Sequence, residues 1–228
     1  MPAEQEVYAR HAAEYEALVS REDFQGNILK TIAGMVALDD LEVLDLGAGT
    51  GRLACLLQPL VRRVIACDAS LHMLGIALHK LREVGNALVA AADHRYLPWQ
   101  SRSTDLIVSG WSVSYVAVWA PQRWREEAEV WLAEARRVLR HGGHIILLES
   151  LGTGNEMPER LPHLENFYRW LDEAGFQSCW IRTDYRFESP EEAGRIAGFF
   201  FGEELKRRIE RERLRILPEC TGVWWLRV

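Results

Sequence analysis

The sequence predicts an α/β fold in which a doubly wound, mostly parallel sheet carries helices on both faces. Three observations support this prediction. Short apolar segments alternate with helical patterns between residues 40 and 150, and a glycine-rich turn follows the first of these segments. The length of 228 residues accommodates one such domain with elaborations, but not two catalytic domains. Alternating strands and helices give parallel strands joined by right-handed crossovers.

The composition is that of a globular protein whose net charge repels phosphate backbones. Hydrophobic residues make up 48% of the chain, charged residues make up 26%, and the formal net charge is −6. Because a negative field disfavours approach to nucleic acid, we do not expect a nucleic-acid partner. The sequence has no apolar run of membrane-spanning length, and its first residues lack the pattern of a secretion signal. We therefore expect a cytoplasmic protein without a membrane partner.

Four cysteines, Cys55, Cys67, Cys179 and Cys220, lie far apart in the sequence and form no C-x-x-C pair. Most of them lie inside apolar segments. We interpret them as reduced thiols of the interior, and we expect neither a disulfide framework nor a bound metal.

Residues 4–37 predict helices, because Tyr8, His11, Ala12 and Tyr15 recur at steps of three and four residues. The simplest interpretation is a helical segment that covers the core and packs its aromatic rings against it.

The most informative stretch is a short buried strand followed by a glycine turn. Residues 43–46 form the apolar strand, Gly47, Gly49 and Gly51 follow at alternate positions, and a helix begins near Thr50. Glycines allow positive φ and let a ligand approach the backbone closely, so this turn predicts a ligand site. A dinucleotide fingerprint requires G-x-G-x-x-G, whereas here Arg52 takes the sixth position, which argues against a dehydrogenase.

Two further strands end in carboxylates. The strand over residues 64–67 ends at Asp68, where an acidic side chain can accept the hydrogens of both ribose hydroxyls. Ser70 already provides a cap for the next helix, over residues 71–81, which leaves Asp68 available for ribose binding. The strand over residues 87–92 is followed by Asp93 and His94, and a solvated loop aspartate is the competing interpretation for Asp93.

A fourth strand, over residues 104–109, runs into Trp111, Ser112, Ser114 and Tyr115. Doubly wound folds bind ligands at the carboxyl edge of the sheet, so these side chains are expected between cofactor and substrate. The alternative is an ordinary loop whose aromatic rings pack beneath it.

The rest of the sequence predicts both helices and strands. Helices are expected over 121–139, 164–174 and 189–205, the first with Pro121 in its first turn and the second ending at Gly175. Strands are expected over 145–148, which ends at Glu149, over 176–187, and over 221–228. The charged residues 203–215 indicate a solvent-facing helix surface.

The glycine turn and its neighbours resemble a known family. The segment from Asp45 to Gly51, D-x-G-x-G-x-G, resembles motif I of the class I S-adenosylmethionine-dependent methyltransferases. Asp68, Asp93 with L-P a few residues later, and the L-x-x-G-G turn before residue 145 resemble the later motifs, in the right order. The resemblance covers about residues 40 to 150. It is strongest to the small-molecule branch that includes ubiquinone and menaquinone pathway enzymes.

The resemblance implies a Rossmann-like, seven-stranded sheet with an antiparallel last strand, preceded here by an inserted helix from Ser189. It implies one methyltransferase domain over residues 1–228, with an N-terminal helical lid at 1–37, a cofactor-binding core at 38–150, and a C-terminal elaboration on the substrate side at 151–228. Under this interpretation Tyr8 and Tyr15 belong to the lid, which competes with the covering-helix interpretation.

S-adenosyl-L-methionine is the implied cofactor and S-adenosyl-L-homocysteine the implied product. The ribose is assigned to Asp68, and the exocyclic amine of adenine to Asp93. The cofactor-binding residues that the resemblance implies are Asp45, Gly47, Ala48, Gly49, Gly51, Asp68, Ala69, Met73, Asp93, His94, Ser109, Tyr8 and Tyr15. The substrate-binding residues are Trp111, Ser112, Ser114, Tyr115 and Glu149.

The implied reaction is in-line methyl transfer to a small-molecule acceptor, which we expect to be largely apolar or planar. The sequence leaves open the acceptor, the accepting atom, the oligomeric state, and a general base among His94, Glu149, His11 and Tyr115. An amino-methyltransferase of nucleic acid would carry D-P-P-Y or N-P-P-Y after strand four, where this chain has S-G-W-S. Candidates for an aromatic acceptor pocket are Trp111, Trp119, Trp170, Trp180, Tyr185 and residues 199–201.

A domain that binds the cofactor without catalysis remains the alternative function. The space opposite the reactive sulfur distinguishes the two, because an open pocket there favours an enzyme and a filled one favours a binding module.

Overall fold

The structure is a computed structural model that describes residues 4–228. The strands β1 to β4 have the bounds Glu42–Leu46, Arg63–Asp68, Ala87–Ala91 and Thr104–Gly110. The strands β5 to β9 have the bounds Leu139–Thr153, Gln177–Arg182, Tyr185–Arg186, Ile216–Leu217 and Glu219–Arg227. The main sheet has seven strands in the order β3-β2-β1-β4-β5-β9-β6. The short strands β7 and β8 pair with each other in a separate antiparallel sheet.

The strand directions match those that the sequence predicts. β1 pairs in parallel with β2 and β4, β2 with β3, and β4 with β5. β9 runs antiparallel to both of its neighbours, β5 and β6. The expected Rossmann-like sheet with an antiparallel last strand is therefore confirmed.

Helices flank this sheet. The helices α1 to α5 have the bounds Glu4–Arg10, Ala12–Val19, Asn27–Met35, Arg52–Leu57 and Leu71–Leu81. The helices α6 to α10 have the bounds Tyr115–Trp119, Trp124–Val138, Glu165–Glu173, Pro190–Phe201 and Glu203–Glu212. Short 3-10 turns follow α4 and precede α8. Among residues 4–228, no helix has both the length and the apolar character needed to cross a membrane.

Apolar side chains pack on both faces of the sheet. On one face, α7 and α8 contribute Trp131, Phe167 and Tyr168, each with no exposed surface. On the other face, α3 and α4 contribute residues such as Ile28 and Leu57. A third cluster joins the end of α2 to β7, α9 and α10. The first two clusters hold the sheet, and the third attaches the inserted helices to the N-terminal segment.

Local signals in the sequence locate several elements correctly. Ser70 caps α5, since its Oγ accepts a hydrogen bond from the Met73 N–H at 3.3 Å, and α5 spans the predicted residues 71–81. Gly175 follows Ala174, the C-cap of α8, and has a φ of 91°, as expected for a glycine that ends a helix.

The strand predicted over residues 176–187 is wrong. β6 ends at Arg182, and the next residues turn toward the smaller sheet. Asp184 causes the break, because its Oδ1 accepts hydrogen bonds from the Glu219 N–H at 3.0 Å and from Arg182 Nε at 2.8 Å. These bonds join the turn to β9 and leave residues 185 and 186 free to pair with β8.

Two helix predictions also need correction. α7 begins at Trp124 with Arg123 before it, so Pro121 lies in the preceding turn rather than in the first turn of the helix. The helix expected over 189–205 is split at Gly202, whose φ of 92° and ψ of 175° end α9 before α10 begins. The short helix α6 is not predicted by the sequence, because its few residues show no helical period.

Replacing Trp131 by alanine tests the core beneath α7. Trp131 is fully buried, so Trp131→Ala is expected to lower the free energy of unfolding by about 3–5 kcal/mol. Urea denaturation measures this change. Val130→Ala is the matched control, since Val130 is 40% exposed on the same helix. Equal losses in the two variants would contradict the packing described for this face.

Candidate active site

The loop after β1 turns in a way that requires glycine. Gly47, Gly49 and Gly51 have φ values of 71°, 53° and 81°. The N–H groups of Gly47 and Ala48 donate to the Cys67 carbonyl at 2.8 and 2.9 Å, which ties the loop to the end of β2. A Cβ atom on Gly47 would lie 1.8 Å from Ser112 Oγ. The loops after β1 and β4 therefore touch at a position that has room only for glycine.

Asp45 and Gly51, at the two ends of the glycine turn, fix how the loop packs against α4 and α5. A Cβ atom on Gly51 would lie 3.0 Å from the Cβ of Ala77, so this glycine lets α5 pack closely. Asp45 is buried, and its Oδ2 accepts the Ala54 N–H at 3.0 Å, which holds the first turn of α4. Burial raises the pKa of Asp45 to about 7.

Asp68 links the glycine loop to the start of α5. Its Oδ2 accepts the Gly49 N–H at 2.8 Å, and its Oδ1 accepts the Ser70 N–H at 2.7 Å. Burial raises the pKa of the Asp68 carboxyl, although hydrogen bonds from these amides oppose the rise. The carboxylate that the sequence assigns to the ribose is thus held in place by backbone groups at the edge of a cavity.

This cavity, which we call the cofactor cavity, has a volume of about 570 Å³ at the carboxyl edge of the sheet. It brings together most of the residues that the resemblance implies. The predicted cofactor residues that line it are Tyr8, Tyr15, Gly47, Gly49, Asp68, Ala69, Asp93 and His94. The predicted substrate residues that line it are Trp111, Ser112 and Tyr115.

Other predicted residues lie behind the cavity wall. Ser109 Oγ donates to the Leu46 carbonyl at 2.6 Å and joins β4 to β1. Glu149 is buried, and its carboxylate accepts the Ser114 N–H at 3.1 Å and the Ser114 Oγ–H at 2.6 Å. Burial raises the pKa of Glu149 to about 7. Asp45, Ala48, Gly51, Met73, Ser109, Ser114 and Glu149 are not among the residues that line the cofactor cavity.

Arg95 is a residue of this site that the sequence reading missed. It forms an ion pair with Asp93 and another with Glu127 of α7. Hydrogen bonds from Arg95 lower the pKa of Asp93, whereas burial lowers the pKa of the neighbouring His94. The only sequence signal was an arginine two residues after Asp93.

A second cavity, which we call the acceptor cavity, has a volume of about 710 Å³. It shares Tyr8, Tyr15, Trp111 and Tyr115 with the cofactor cavity. Within this shared wall, the ring centroid of Tyr8 lies 5.8 Å from that of Tyr15 and 5.6 Å from that of Tyr115. The two cavities are therefore neighbours across a wall of aromatic rings.

The inserted segment between β6 and β9 provides the far side of the acceptor cavity. Tyr185, Phe200 and Phe201 line it, as does Leu205 of α10. Of the other aromatic candidates, Trp119 lines the cofactor cavity, Trp170 belongs to the core, and Trp180 is exposed on β6. The rings of His11 and Phe199 pack against each other with their centroids 5.4 Å apart, and neither residue lines either cavity.

Six charged residues in the wall of the acceptor cavity were also missed. Three of them, Glu204, Arg208 and Arg211, belong to α10, where the sequence indicated a solvent-facing surface, and the others are Glu22, Arg52 and Glu219. Arg52 Nη1 donates to Glu22 Oε2 at 2.6 Å, and the guanidinium lies 4.6 Å from the ring centroid of Trp111. Glu219 is 2% exposed, and its Oε1 accepts the Ser150 Oγ–H at 2.7 Å. Arg52 was noticed only as a departure from the dinucleotide pattern, and no motif pointed to Glu22 or Glu219.

Comparison with known proteins agrees with this architecture. A family model described as a methyltransferase domain matches residues 44–147. The malonyl-[acyl-carrier protein] O-methyltransferase of Hahella chejuensis is 31% identical over 220 residues, covering 96% of this chain and 72% of that protein. The chain belongs to the class I S-adenosylmethionine-dependent methyltransferases, and S-adenosylmethionine is the cofactor of that family.

Two further similarities define its relation to named proteins. The malonyl-[acyl-carrier protein] O-methyltransferase of a Marinomonas species is 32% identical over 140 residues, covering 60% of this chain. This chain spans about half of that relative, 48% of its length. A solved structure of a putative methyltransferase from Bacillus halodurans has a TM-score of 0.58 at 18% identity, covering 89% of this chain and 99% of that one. At that identity the structural likeness supports the fold alone.

The contact between the two loops can be tested at Gly47. Gly47→Ala is expected to weaken binding of S-adenosylhomocysteine at least about tenfold, because the new Cβ displaces Ser112 and the backbone has positive φ. Isothermal titration calorimetry measures the affinity.

Gly75→Ala is the matched control, because a Cβ at this position of α5 meets no atom within 4 Å. The double variant Gly47→Ala with Ser112→Gly should recover part of the lost affinity. Unchanged affinity in Gly47→Ala would contradict the close contact.

Proposed function

We propose that this protein transfers a methyl group from S-adenosylmethionine to a small, largely apolar or planar acceptor in the cytoplasm. The observation that carries the proposal is the acceptor cavity, which meets the cofactor cavity across Tyr8, Tyr15, Trp111 and Tyr115. A second cavity that shares these side chains with the cofactor cavity favours an enzyme over a domain that only binds the cofactor. Cys67 and Cys220 are buried as expected, whereas Cys179 is exposed, so the expectation that all four cysteines lie in the interior is wrong for Cys179.

The residues of the cofactor cavity fit the cofactor. The cradle after β1 has no side chain at Gly47, where a Cβ would fill the space, and the carboxylates of Asp68 and Asp93 stand at the ends of β2 and β3. In this proposal Asp68 binds the ribose hydroxyls, Asp93 binds the adenine amine with Arg95 holding its carboxylate, and Tyr8 and Tyr15 cover the cavity. When bound, S-adenosylmethionine supplies a methyl group on a positively charged sulfur. Because that sulfur becomes neutral when the methyl group is transferred, the transfer needs neither a metal nor a covalent enzyme intermediate.

The protein's own contribution is alignment and exclusion of water. Aromatic rings on both sides of the shared wall orient the acceptor and desolvate it. Alignment of two reactants can lower a barrier by about 7–11 kcal/mol, whereas a general base typically contributes ~10²–10⁴-fold in rate. Of the proton acceptors that the sequence left open, His94 and Tyr115 line the cofactor cavity, whereas His11 and Glu149 line neither cavity.

The names of the relatives specify different accepting atoms. Two are malonyl-[acyl-carrier protein] O-methyltransferases and another is a ubiquinone/menaquinone biosynthesis C-methyltransferase, so we propose the class of acceptor and not the accepting atom. The net charge of −6 supports the view that nucleic acid is not the substrate.

Labelling with a methyl-labelled cofactor tests the activity. Purified protein and labelled S-adenosylmethionine are incubated with a cell extract separated into small-molecule, protein and nucleic-acid fractions. Label is expected in the small-molecule fraction and absent when the protein is heat-denatured. Label confined to protein or nucleic acid would refute the proposed class of acceptor.

Asp68→Ala tests the cofactor assignment. Because hydrogen bonds to a charged group contribute about 1.5–3 kcal/mol, removal of the carboxylate is expected to weaken S-adenosylhomocysteine binding ~10- to 100-fold in calorimetry. Asp39→Ala, in the loop before β1, is the control for a change of charge. Retained affinity in Asp68→Ala would show that Asp68 does not bind the cofactor. Saturation of the same cavity by NADH would refute S-adenosylmethionine as the cofactor.

A further inference from the structure

Glu149 uses both of its carboxylate oxygens to bind one residue, Ser114. Its Oε1 accepts the Ser114 N–H at 3.1 Å, and its Oε2 accepts the Ser114 Oγ–H at 2.6 Å. Glu149 is 2% exposed and Ser114 is 5% exposed, so the bonds are shielded from water. Because a buried donor needs an acceptor, these two donors of Ser114 depend on the Glu149 carboxyl.

The two bonds attach the loop after β4 to β5. In the sheet Gly110, the last residue of β4, lies opposite Leu148, so Glu149 stands one position beyond the end of β4. The Trp111 N–H also donates to the Leu148 carbonyl, at 2.7 Å. The loop over residues 111–114 is therefore fixed at both of its ends by consecutive residues of β5.

The position of Ser114 determines the position of α6, because Ser114 is the N-cap of that helix. A helix of five residues has little stability of its own, so its place depends on contacts with the rest of the chain. The first residue of α6, Tyr115, lines both cavities, and Trp119 lines the cofactor cavity.

The aromatic rings of α6 form part of the shared wall. The rings of Tyr115 and Trp119 stack with centroids 4.7 Å apart and planes 19° apart. Tyr8 meets Tyr115 edge-on, with centroids 5.6 Å apart. A shift at the start of α6 would therefore move the rings that stand between the cofactor cavity and the acceptor cavity.

We propose that Glu149 is a positioning residue for methyl transfer, which acts through Ser114 by holding Tyr115 in the wall between the two cavities. The proposal rests on the proposed function, since that function transfers the methyl group across this wall. It also removes Glu149 from the candidates for a general base. Both of its oxygens bind Ser114, and within residues 4–228 Glu149 is outside the lining of both cavities.

Replacing Glu149 by alanine and by glutamine separates positioning from proton transfer. The rate of label transfer from saturating methyl-labelled S-adenosylmethionine to the small-molecule fraction of an extract is measured. Glu149→Ala leaves two buried donors without acceptors and is expected to lower this rate about 10²-fold, as a small misplacement of reacting groups can.

Glu149→Gln keeps the positioning contacts but cannot take up a proton. Its amide oxygen accepts the Ser114 N–H, and its amide nitrogen donates to Ser114 Oγ, which can accept as well as donate. The rate in this variant is therefore expected to stay within about threefold of that of the unaltered protein. A general base would instead make Glu149→Gln as slow as Glu149→Ala.

A double-mutant cycle tests whether Glu149 acts through Tyr115. When Tyr115→Ala is already present, adding Glu149→Ala is expected to lower the rate less than about threefold, because no ring remains to be positioned. Affinity for S-adenosylhomocysteine, measured by calorimetry, should fall less than about tenfold in Glu149→Ala, because the glycine loop and Asp68 keep their own contacts.

Two variants control for the loss of a buried hydrogen bond. Ser114→Ala removes only the bond to Oε2 and is expected to lower the rate about tenfold, between the unaltered protein and Glu149→Ala. Tyr168→Phe removes the bond that Tyr168 Oη donates to the Ser150 carbonyl at 2.8 Å, beside Glu149 but on α8. Its rate should match that of the unaltered protein.

The outcomes distinguish this proposal from the proposed function. An unchanged rate in Glu149→Ala, an equally low rate in Glu149→Gln, or a full loss from Glu149→Ala in the Tyr115→Ala background would overturn it. If Glu149→Ala does not fold, a lower rate in Glu149→Gln than in Ser114→Ala would overturn it. Absence of transfer by the unaltered protein would instead refute the proposed function.

Discussion

The site depends on the contact between the loops after β1 and β4, which exists because Gly47 has no side chain. A Cβ there would overlap Ser112, so any other residue would force the two loops apart. The contact brings Trp111 and Ser112 beside the glycine loop. The same loop is held from the other side by the Cys67 carbonyl and the Asp68 carboxylate. Contacts within the chain therefore hold the backbone cradle on both sides.

The two cavities arise from different parts of the chain. The cofactor cavity is built mainly from the strands and loops within residues 44–147, the range that the methyltransferase family model matches. The far side of the acceptor cavity comes from β7, α9 and α10, which lie outside that range. The N-terminal tyrosines Tyr8 and Tyr15 belong to both cavities. The cofactor cavity thus lies mainly within the matched range, whereas the far side of the second cavity lies outside it.

The sequence predicted those features that depend on local signals. Ser70 and Gly175 mark helix ends by capping chemistry, and the alternating glycines after β1 mark the cradle. Features that depend on distant partners were missed. Asp184 ends β6 through a bond to the Glu219 amide, and Arg95 pairs with Glu127, 32 residues away.

The cluster of Glu22, Arg52 and Glu219 is the clearest example of a feature that the sequence alone does not predict. The three residues come from a loop, a helix start and a strand start in separate regions of the sequence. Each looks like an ordinary surface charge when considered alone. Only the folded chain places them in one cavity wall, where burial and neighbouring charges shift the pKa values of Glu22 and Glu219. A single sequence contains no periodic or spacing signal for such a cluster.

Arg52 directly follows the last glycine of the cradle, yet its guanidinium belongs to the wall of the other cavity. Arg52 therefore connects the end of the cradle to the wall of the second cavity, so a change at this position can disturb both. A descendant that adopts a new acceptor would more readily diversify Phe200, Phe201 and Leu205, which contribute nothing to the cradle. Changes in the inserted helices can consequently alter the acceptor cavity while leaving the glycine turn intact.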